Sequence, residues 1–252
     1  ILSAYNQFEL ILKNRLKSKS FGVAVSGGPD SLALAYLAKC YAIKNNCKFS
    51  IFIVDHKLRK ESSKEALHVK NLLIKMRLNS KILTWDSKKP ITNIQGIARE
   101  KRLKLLIKSC KSLRIKYLLI GHHKDDLYEN FFIRLFRGSG LKGLISFGES
   151  TDNFNGISIL RPMINLDKKD LIHISKKIFK SYISDPYNLD LKFKRSRLRK
   201  FIPEFKKEGL DLKKLKLTIN NLKSSDYAIN YYVKKNINDN SKFSIDRNCY
   251  IL

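Results

Sequence analysis

The sequence predicts an α/β protein: a Rossmann-like parallel sheet with helices on both faces, followed by a small helical segment. Three observations carry that expectation. Apolar, β-branched runs of strand length alternate with amphipathic stretches of helix length, the pattern of βαβ units. The first of those runs passes through a glycine turn directly into a helix. A chain of 252 residues, 43% hydrophobic and 29% charged, is long and apolar enough to bury a core of that size.

Taken in order, Tyr5, Phe8, Leu12 and Leu16 are spaced as one face of an N-terminal helix. Phe21-Gly22-Val23-Ala24-Val25 is a first strand, and Leu32 to Ala38 lies in the helix after it. Lys48 to Asp55 is a second strand. Ser62 and Glu65 stand as a capping box for a helix that carries Ala66, Val69, Leu72, Leu73 and Met76. A third strand covers Lys81 to Trp85, a helix Asn93 to Arg114, a fourth strand Tyr117 to Ile120, and a further helix Leu127 to Phe136. Arg137 to Leu144 reads as a glycine-rich basic loop, suited to a nucleotide or RNA backbone or else an ordinary surface loop. Gly156 to Leu166 holds a short strand with Arg161-Pro162, and Asp167 to Lys180 is an amphipathic helix. The turn Asp185-Pro186-Tyr187-Asn188 marks a seam between a nucleotide-binding catalytic domain, 1–187, and a basic helical segment, 188–252. Leu210 to Ile237 is helical, and the last residues form a weak strand or tail.

The chemistry concentrates at strand ends. Ser26-Gly27-Gly28-Pro29-Asp30-Ser31 joins the first strand to its helix, where glycines admit a ligand to the backbone and the opening N–H groups of the helix attract an anion. Phosphate is the expected occupant, although paired glycines also make plain turns. Asp30 would repel a phosphate unless a divalent cation lay between them. Asp55-His56 ends the second strand, and Gly121-His122-His123-Lys124-Asp125-Asp126 the fourth. In parallel sheets ligands bind at the carboxyl ends of strands, so these clusters share one edge. If Asp30 meets Asp125 or Asp126, the pair makes an oxygen site for Mg²⁺ on a triphosphate; the competing reading is that the aspartates cap the helix.

Fifty-one Lys and Arg against 22 Asp and Glu leave a net charge of +29, a field that favours nucleic acid, or else a compositional lysine bias. Lys192 to Lys200 gathers cations around Phe193, which suits phosphate contact and base stacking, or a solvated helix face. Cys40, Cys47, Cys110 and Cys249 are widely spread without metal-site spacing, as expected of reduced thiols in a cytoplasmic protein. No apolar run reaches membrane-spanning length. The chain opens on Ile rather than Met, which reads as a trimmed N-terminus.

Several blocks together resemble the tRNA(Ile)-lysidine synthase family of PP-loop ATP pyrophosphatases. They are Ser26 to Ser31, Val54 to Arg59, Asn93 to Arg99, Gly121 to Asp126, Arg137 to Leu141, Arg161-Pro162 and Asp185 to Arg199. Leu127 and Asn130 depart from the family's usual Gln and Thr, Ser196 from a common Asn, and Gly96 from a common Ala. The resemblance implies a ligase that forms a carbon–nitrogen bond between free L-lysine and the wobble cytidine of tRNA(Ile) with anticodon CAU, using ATP and Mg²⁺. Ser26, Gly27, Gly28, Pro29, Asp30, Ser31, Asp55 and His56 would bind the nucleotide, and Asp30 and Asp126 the metal. Arg99, Arg195 and Arg199 would neutralise phosphate charge, and Asp125 or His123 would serve as the base. A homodimer is one expected assembly. Many members carry further C-terminal domains, so a chain ending at Leu252 reads as a fragment or a short form. A tRNA thiolation enzyme sharing the loop is the main alternative; an amidotransferase-coupled synthetase and a non-catalytic RNA-binding protein are further ones.

Overall fold

The computed structural model describes residues 1–58, 61–85, 94–183, 192, 194–244, 246 and 249–251, with backbone alone for 94–95, 151–154, 243 and 249–251. Arg59, Asn93, Phe193 and the turn at Asp185 to Asn188, with its expected seam, lie outside them. Two compact units are present: Ile1–Leu127 with Phe147–Asp190, and Tyr128–Ser146 with Leu191–Leu252. The segment Tyr128–Ser146, read from sequence as part of the first domain, thus clusters with the C-terminal residues.

In the first unit α1 (Leu2–Arg15) leads into β1 (Ser20–Val25), α2 (Pro29–Lys44), β2 (Lys48–Asp55), α3 (Ser62–Lys75), β3 (Ser80–Thr84), α4 (Ile94–Ser112) and β4 (Tyr117–Leu119). The helix α5 (Lys124–Leu135) follows. After the short α6 (Leu141–Leu144), which belongs to the second unit, the first resumes with β5 (Ser150–Phe154), β6 (Ile157–Leu160) and α7 (Lys168–Phe179). The sheet runs β3-β2-β1-β4-β6-β5, parallel except for β5, which pairs antiparallel with β6. The expected parallel α/β sheet is therefore present, with an antiparallel edge strand that the sequence reading missed.

Side-chain alternation shows why this sheet is covered on both faces. Phe21, Val23 and Val25 of β1 and Ile51 and Ile53 of β2 enter a core built with α1, α2, α3 and α7. Phe52 of β2 and Leu118 of β4 point the other way, onto Leu106, Ile107 and Cys110 of α4. Gly22 faces that second layer, where a Cβ would stand 3.0 Å from the Phe52 ring and 3.2 Å from Cys110 Sγ. Phe8 and Leu12 of α1 are fully buried and Tyr5 and Leu16 flank them, as their spacing predicts.

The capping box expected at Ser62 and Glu65 does not form. Residue Glu61 holds the N-cap position, and Ser62, already helical, turns its hydroxyl to Asp55 instead. In the second unit α8 (Lys194–Lys207) and α9 (Leu212–Asn240) follow one another, and β7 (Lys242–Ser244) pairs antiparallel with β8 (Cys249–Ile251), so of the expected weak strand or tail the strand is present, as one half of a pair. The carboxylate of Asp211 caps α9 by accepting from Lys213 N at 2.6 Å and Lys214 N at 3.4 Å.

Candidate active site

The strand order reverses between β1 and β4, whose registers pair Gly22 with Leu118 and Val23 with Leu119. Such a switch point opens a crevice at the strands' carboxyl ends. The loop after β1 and the segment after β4 both border it, and Gly121 lets them close. A Cβ at that position would lie 3.3 Å from Ser31 Cα and 3.4 Å from the Asp30 carbonyl.

The hydroxyl of Ser31 sets the loop's shape. It accepts from Ser26 N at 3.1 Å, Gly27 N at 3.0 Å and Ser26 Oγ at 3.3 Å, and donates to Gly28 O at 2.9 Å. Gly27 takes φ +88°, and its carbonyl accepts from Ile183 N at 2.9 Å. Gly28 is the N-cap of α2, in extended backbone and without a side-chain cap, and Pro29 occupies the first turn. The helix thus opens with backbone N–H groups and a positive dipole end aimed out of the loop, the arrangement that receives phosphate.

Opposite the loop, α5 opens with a reciprocal cap. His123 Nδ1 accepts from Asp125 N at 3.3 Å, while Asp126 Oδ2 accepts from His123 N at 2.9 Å. This is a capping box in which histidine replaces the usual hydroxyl residue, and it starts the helix three residues before the expected Leu127. With Nδ1 accepting, the imidazole carries its proton on Nε2. That nitrogen lies 3.6 Å from Asp30 Oδ2 and 3.6 Å from Asp126 Oδ2. His123 is therefore buried between the two acids, with an N–H facing both. The carboxylate of Asp125 stands at 3.9 Å on the Nδ1 side and is 45% exposed, against 10% for Asp126.

Arg161 adds a positive charge that the sequence reading did not place in the site. It follows β6, the neighbour of β4, so its strand-end position was the available signal. The residue is buried, its guanidinium stacks over Phe147 at 4.6 Å, and Nη1 donates to Gly148 O at 3.2 Å. Burial pulls its pKa down to about 10 while the charge of Asp126 acts against that fall. The ring of His122 meets Phe147 edge-on at 5.0 Å.

The other strand-end acid is engaged differently. Asp55 accepts from Ser62 Oγ, from Ser63 Oγ at 2.6 Å and from Lys57 N at 2.9 Å. Burial raises its pKa, but the hydroxyl and backbone donors outweigh it and leave the carboxyl below its ordinary range. Asp55 thus ties the turn after β2 to the start of α3, and His56 beside it meets Trp85 edge-on at 6.4 Å. Arg99 stands exposed on α4. Arg195 and Arg199 belong to the second unit, where Arg199 donates through Nε and Nη2 to the fully buried carboxylate of Glu129.

The structure thus gathers Ser26, Gly27, Gly28, Pro29, Asp30, Ser31, His123, Asp125 and Asp126 within one unit. Asp30 and Asp126 each stand 3.6 Å from the Nε2 of His123, so their carboxylates are the two that could serve a cation together. No group of three or more His, Cys, Asp or Glu suited to a metal exists among the described residues. Magnesium commonly binds one or two carboxylates and completes its shell with phosphates and water, so the pair fits a cation that arrives with a nucleotide.

A PP-loop domain family model matches residues 3–205. The tRNA(Ile)-lysidine synthase of Rhodopseudomonas palustris is 38% identical over 77% of this chain and 56% of its own length. That of Wolbachia pipientis is 36% identical over 92% of this chain and 56% of its own, and that of Rickettsia felis 34% over 90% and 52%. The chain therefore spans about half the length of these curated relatives. Among solved structures, the U34-tRNA thiolase NcsA of Methanococcus maripaludis superposes with a TM-score of 0.72 at 17% identity, over 88% of this chain and 78% of that one, a likeness of fold. No helix among the described residues is long and apolar enough to cross a membrane.

Proposed function

Because the chain belongs to the PP-loop domain family, we propose that it catalyses ATP-dependent ligation of lysine to C2 of the wobble cytidine in tRNA(Ile) with anticodon CAU. The observation that carries this reading is Asp30, in the phosphate loop at the start of α2, standing across the Nε2 of His123 from Asp126. The lysidine synthase identity of its relatives supports the substrate.

The reaction asks for two displacements. The cytosine O2 attacks the α-phosphorus of ATP, the bond to the β-phosphate oxygen breaks, and pyrophosphate leaves. The ε-amine of lysine then attacks C2 of the adenylated base, loses a proton, and expels AMP. The loop 26–31 holds the phosphates by backbone N–H groups, and Asp30 and Asp126 would hold Mg²⁺, which supplies charge neutralisation as pyrophosphate departs. His123 is a positioning residue: its Nε2–H keeps the two acids oriented, and with Nδ1 already accepting it is poorly placed to take a proton. Asp125 is the better candidate base, being exposed at the mouth of the cluster. Lysine must lose a proton from an amine that ordinarily titrates at about 10.4, which is the task a nearby carboxylate assists. Arg99, Arg195 and Arg199 remain assigned to phosphate or RNA contact, the chain acts in the cytoplasm, and a homodimer is its proposed assembly.

The test is to incubate the protein with CAU-anticodon tRNA, ATP and lysine, digest the RNA and weigh the wobble nucleoside. A lysine-mass addition with release of AMP and pyrophosphate is expected. Unmodified cytidine, beside an active full-length relative, would overturn the reading.

A further inference from the structure

The helix α9 has 29 residues, of which Leu215 and Ile219 are buried. Those two and the half-buried Leu222 lie on one side of it. A different stripe is built from Lys213, Lys216, Asn220, Lys223, Tyr227, Tyr231 and Lys234, which succeed one another at steps of three and four and so share one face. From Lys213 to Lys234 it runs about 30 Å at the helical rise per residue. Tyr227 is 75% exposed and Tyr231 54%. Asp226 and Asp239, the acids within the helix, both fall off this stripe.

A helix that merely kept a lysine-rich chain soluble would scatter its cations and leave few aromatic rings in water. This one sets two exposed tyrosines between lysines on a face without acids. We propose that this stripe is an RNA-binding surface: the lysines contact backbone phosphates, and Tyr227 and Tyr231 stack on unpaired bases of the tRNA. Exposed rings flanked by cations are the recurring means of holding unstacked bases, because every base offers a π-face and every nucleotide a charge. The proposal rests on the tRNA substrate proposed above and extends it to a surface of the second unit.

The same helix supplies its own controls. Lys214 and Tyr232 are chemically equivalent residues that share another face, with Tyr232 67% exposed and touching Tyr231 edge-on at 5.4 Å. Binding of the whole chain to a fluorescent CAU-anticodon tRNA(Ile) transcript is measured by anisotropy, with the oligomeric state followed by sedimentation. Tyr227→Ala and Tyr231→Ala should each weaken binding roughly tenfold, the lower part of the range for loss of one stacked base. Tyr227→Phe and Tyr231→Phe should keep wild-type affinity, and Lys214→Ala and Tyr232→Ala should change it by less than about threefold, the range of surface substitutions. All of these substitutions fall on the surface, so melting temperatures should stay unchanged. Tight wild-type binding that the stripe variants leave intact would overturn this inference and spare the proposed substrate. Equal losses at Tyr232 and Tyr227 would overturn it too, as would a dimer broken by the stripe variants at unaltered tRNA affinity. Failure of the wild-type chain to bind the transcript would overturn both proposals.

Discussion

At Gly27 the backbone takes φ +88°, and an added Cβ would stand 2.4 Å from Val69 Cγ2 and 3.1 Å from Ile183 Cδ1. The protein itself demands glycine there. At Gly28 the backbone is extended, a conformation open to any residue, and the nearest atom to an added Cβ is the Ile183 carbonyl oxygen at 4.0 Å. Among the described residues nothing demands glycine at that second position, as expected if its reason is the approach of a ligand. Gly27→Ala should therefore lower the melting temperature by several degrees, since left-handed strain and the clash together cost about 1–3 kcal/mol. Gly28→Ala should melt like the wild type yet release pyrophosphate far more slowly, by at least about tenfold for a phosphate cradle narrowed by one methyl group. Calorimetry and a pyrophosphate assay on the two variants separate the outcomes. The two glycines, Asp30 and Ser31 were legible as a phosphate loop. What each one does was not, because the distinction between them lies in Val69 and Ile183, brought close only by folding.

Among the elements, α5 owes its start to His123, whose Nδ1 accepts from Asp125 N and whose own N donates to the carboxylate of Asp126. The sequence offered capping and metal binding as rival readings of the aspartates, whereas the side chain of Asp126 makes the cap while also facing Asp30 across the imidazole. His123→Ala should lose both the cap and the N–H between the acids, with about 1 kcal/mol of helix stability gone from the cap alone. His123→Asn restores a good capping side chain but has no Nε2. It should melt near the wild type and release pyrophosphate roughly tenfold more slowly, if that N–H positions the acids as proposed. A wild-type rate in the Asn variant would remove the positioning role. The failed capping box at Ser62 has a related cause. Its spacing was correct for a cap, but Asp55, at the end of the preceding strand, competes for the hydroxyl, and a carboxylate is the stronger acceptor. The edge strand β5 escaped the sequence reading because Ser150–Phe154 holds polar residues and only one large apolar one, so its pairing with β6 leaves little periodic signal.

For the molecule as a whole, 51 basic against 22 acidic side chains make the surface field strongly positive. If that charge meets RNA, counterions are released on binding and the affinity must fall steeply with salt. Between about 50 and 200 mM salt the association constant for CAU-anticodon tRNA should drop on the order of a thousandfold, as for proteins that neutralise six or more phosphates. Anisotropy titrations across that range check it, and a loss below about tenfold would mean that the charge serves another purpose. The architecture was legible because alternating strands and helices force a parallel sheet, and such a sheet brings the loop after β1 and the segment after β4 to one edge. The assortment of residues into two compact units was not, since Tyr128–Ser146 carries no sequence signal of its allegiance to the C-terminal helices.

The pairing of β1 with β4 joins residues far apart in the chain, Gly22 to Leu118, with α2, β2, α3, β3 and α4 between them. Such long-range parallel pairing is slow to form, because the entropy of closing the intervening chain is lost before the contacts reward it. Until it forms, the phosphate loop and the His123 cluster sit on separate pieces of structure. Nucleotide binding is consequently expected to be one of the last properties that a newly synthesised chain acquires, and recovery of ATP affinity after dilution from denaturant should time the closing of the sheet.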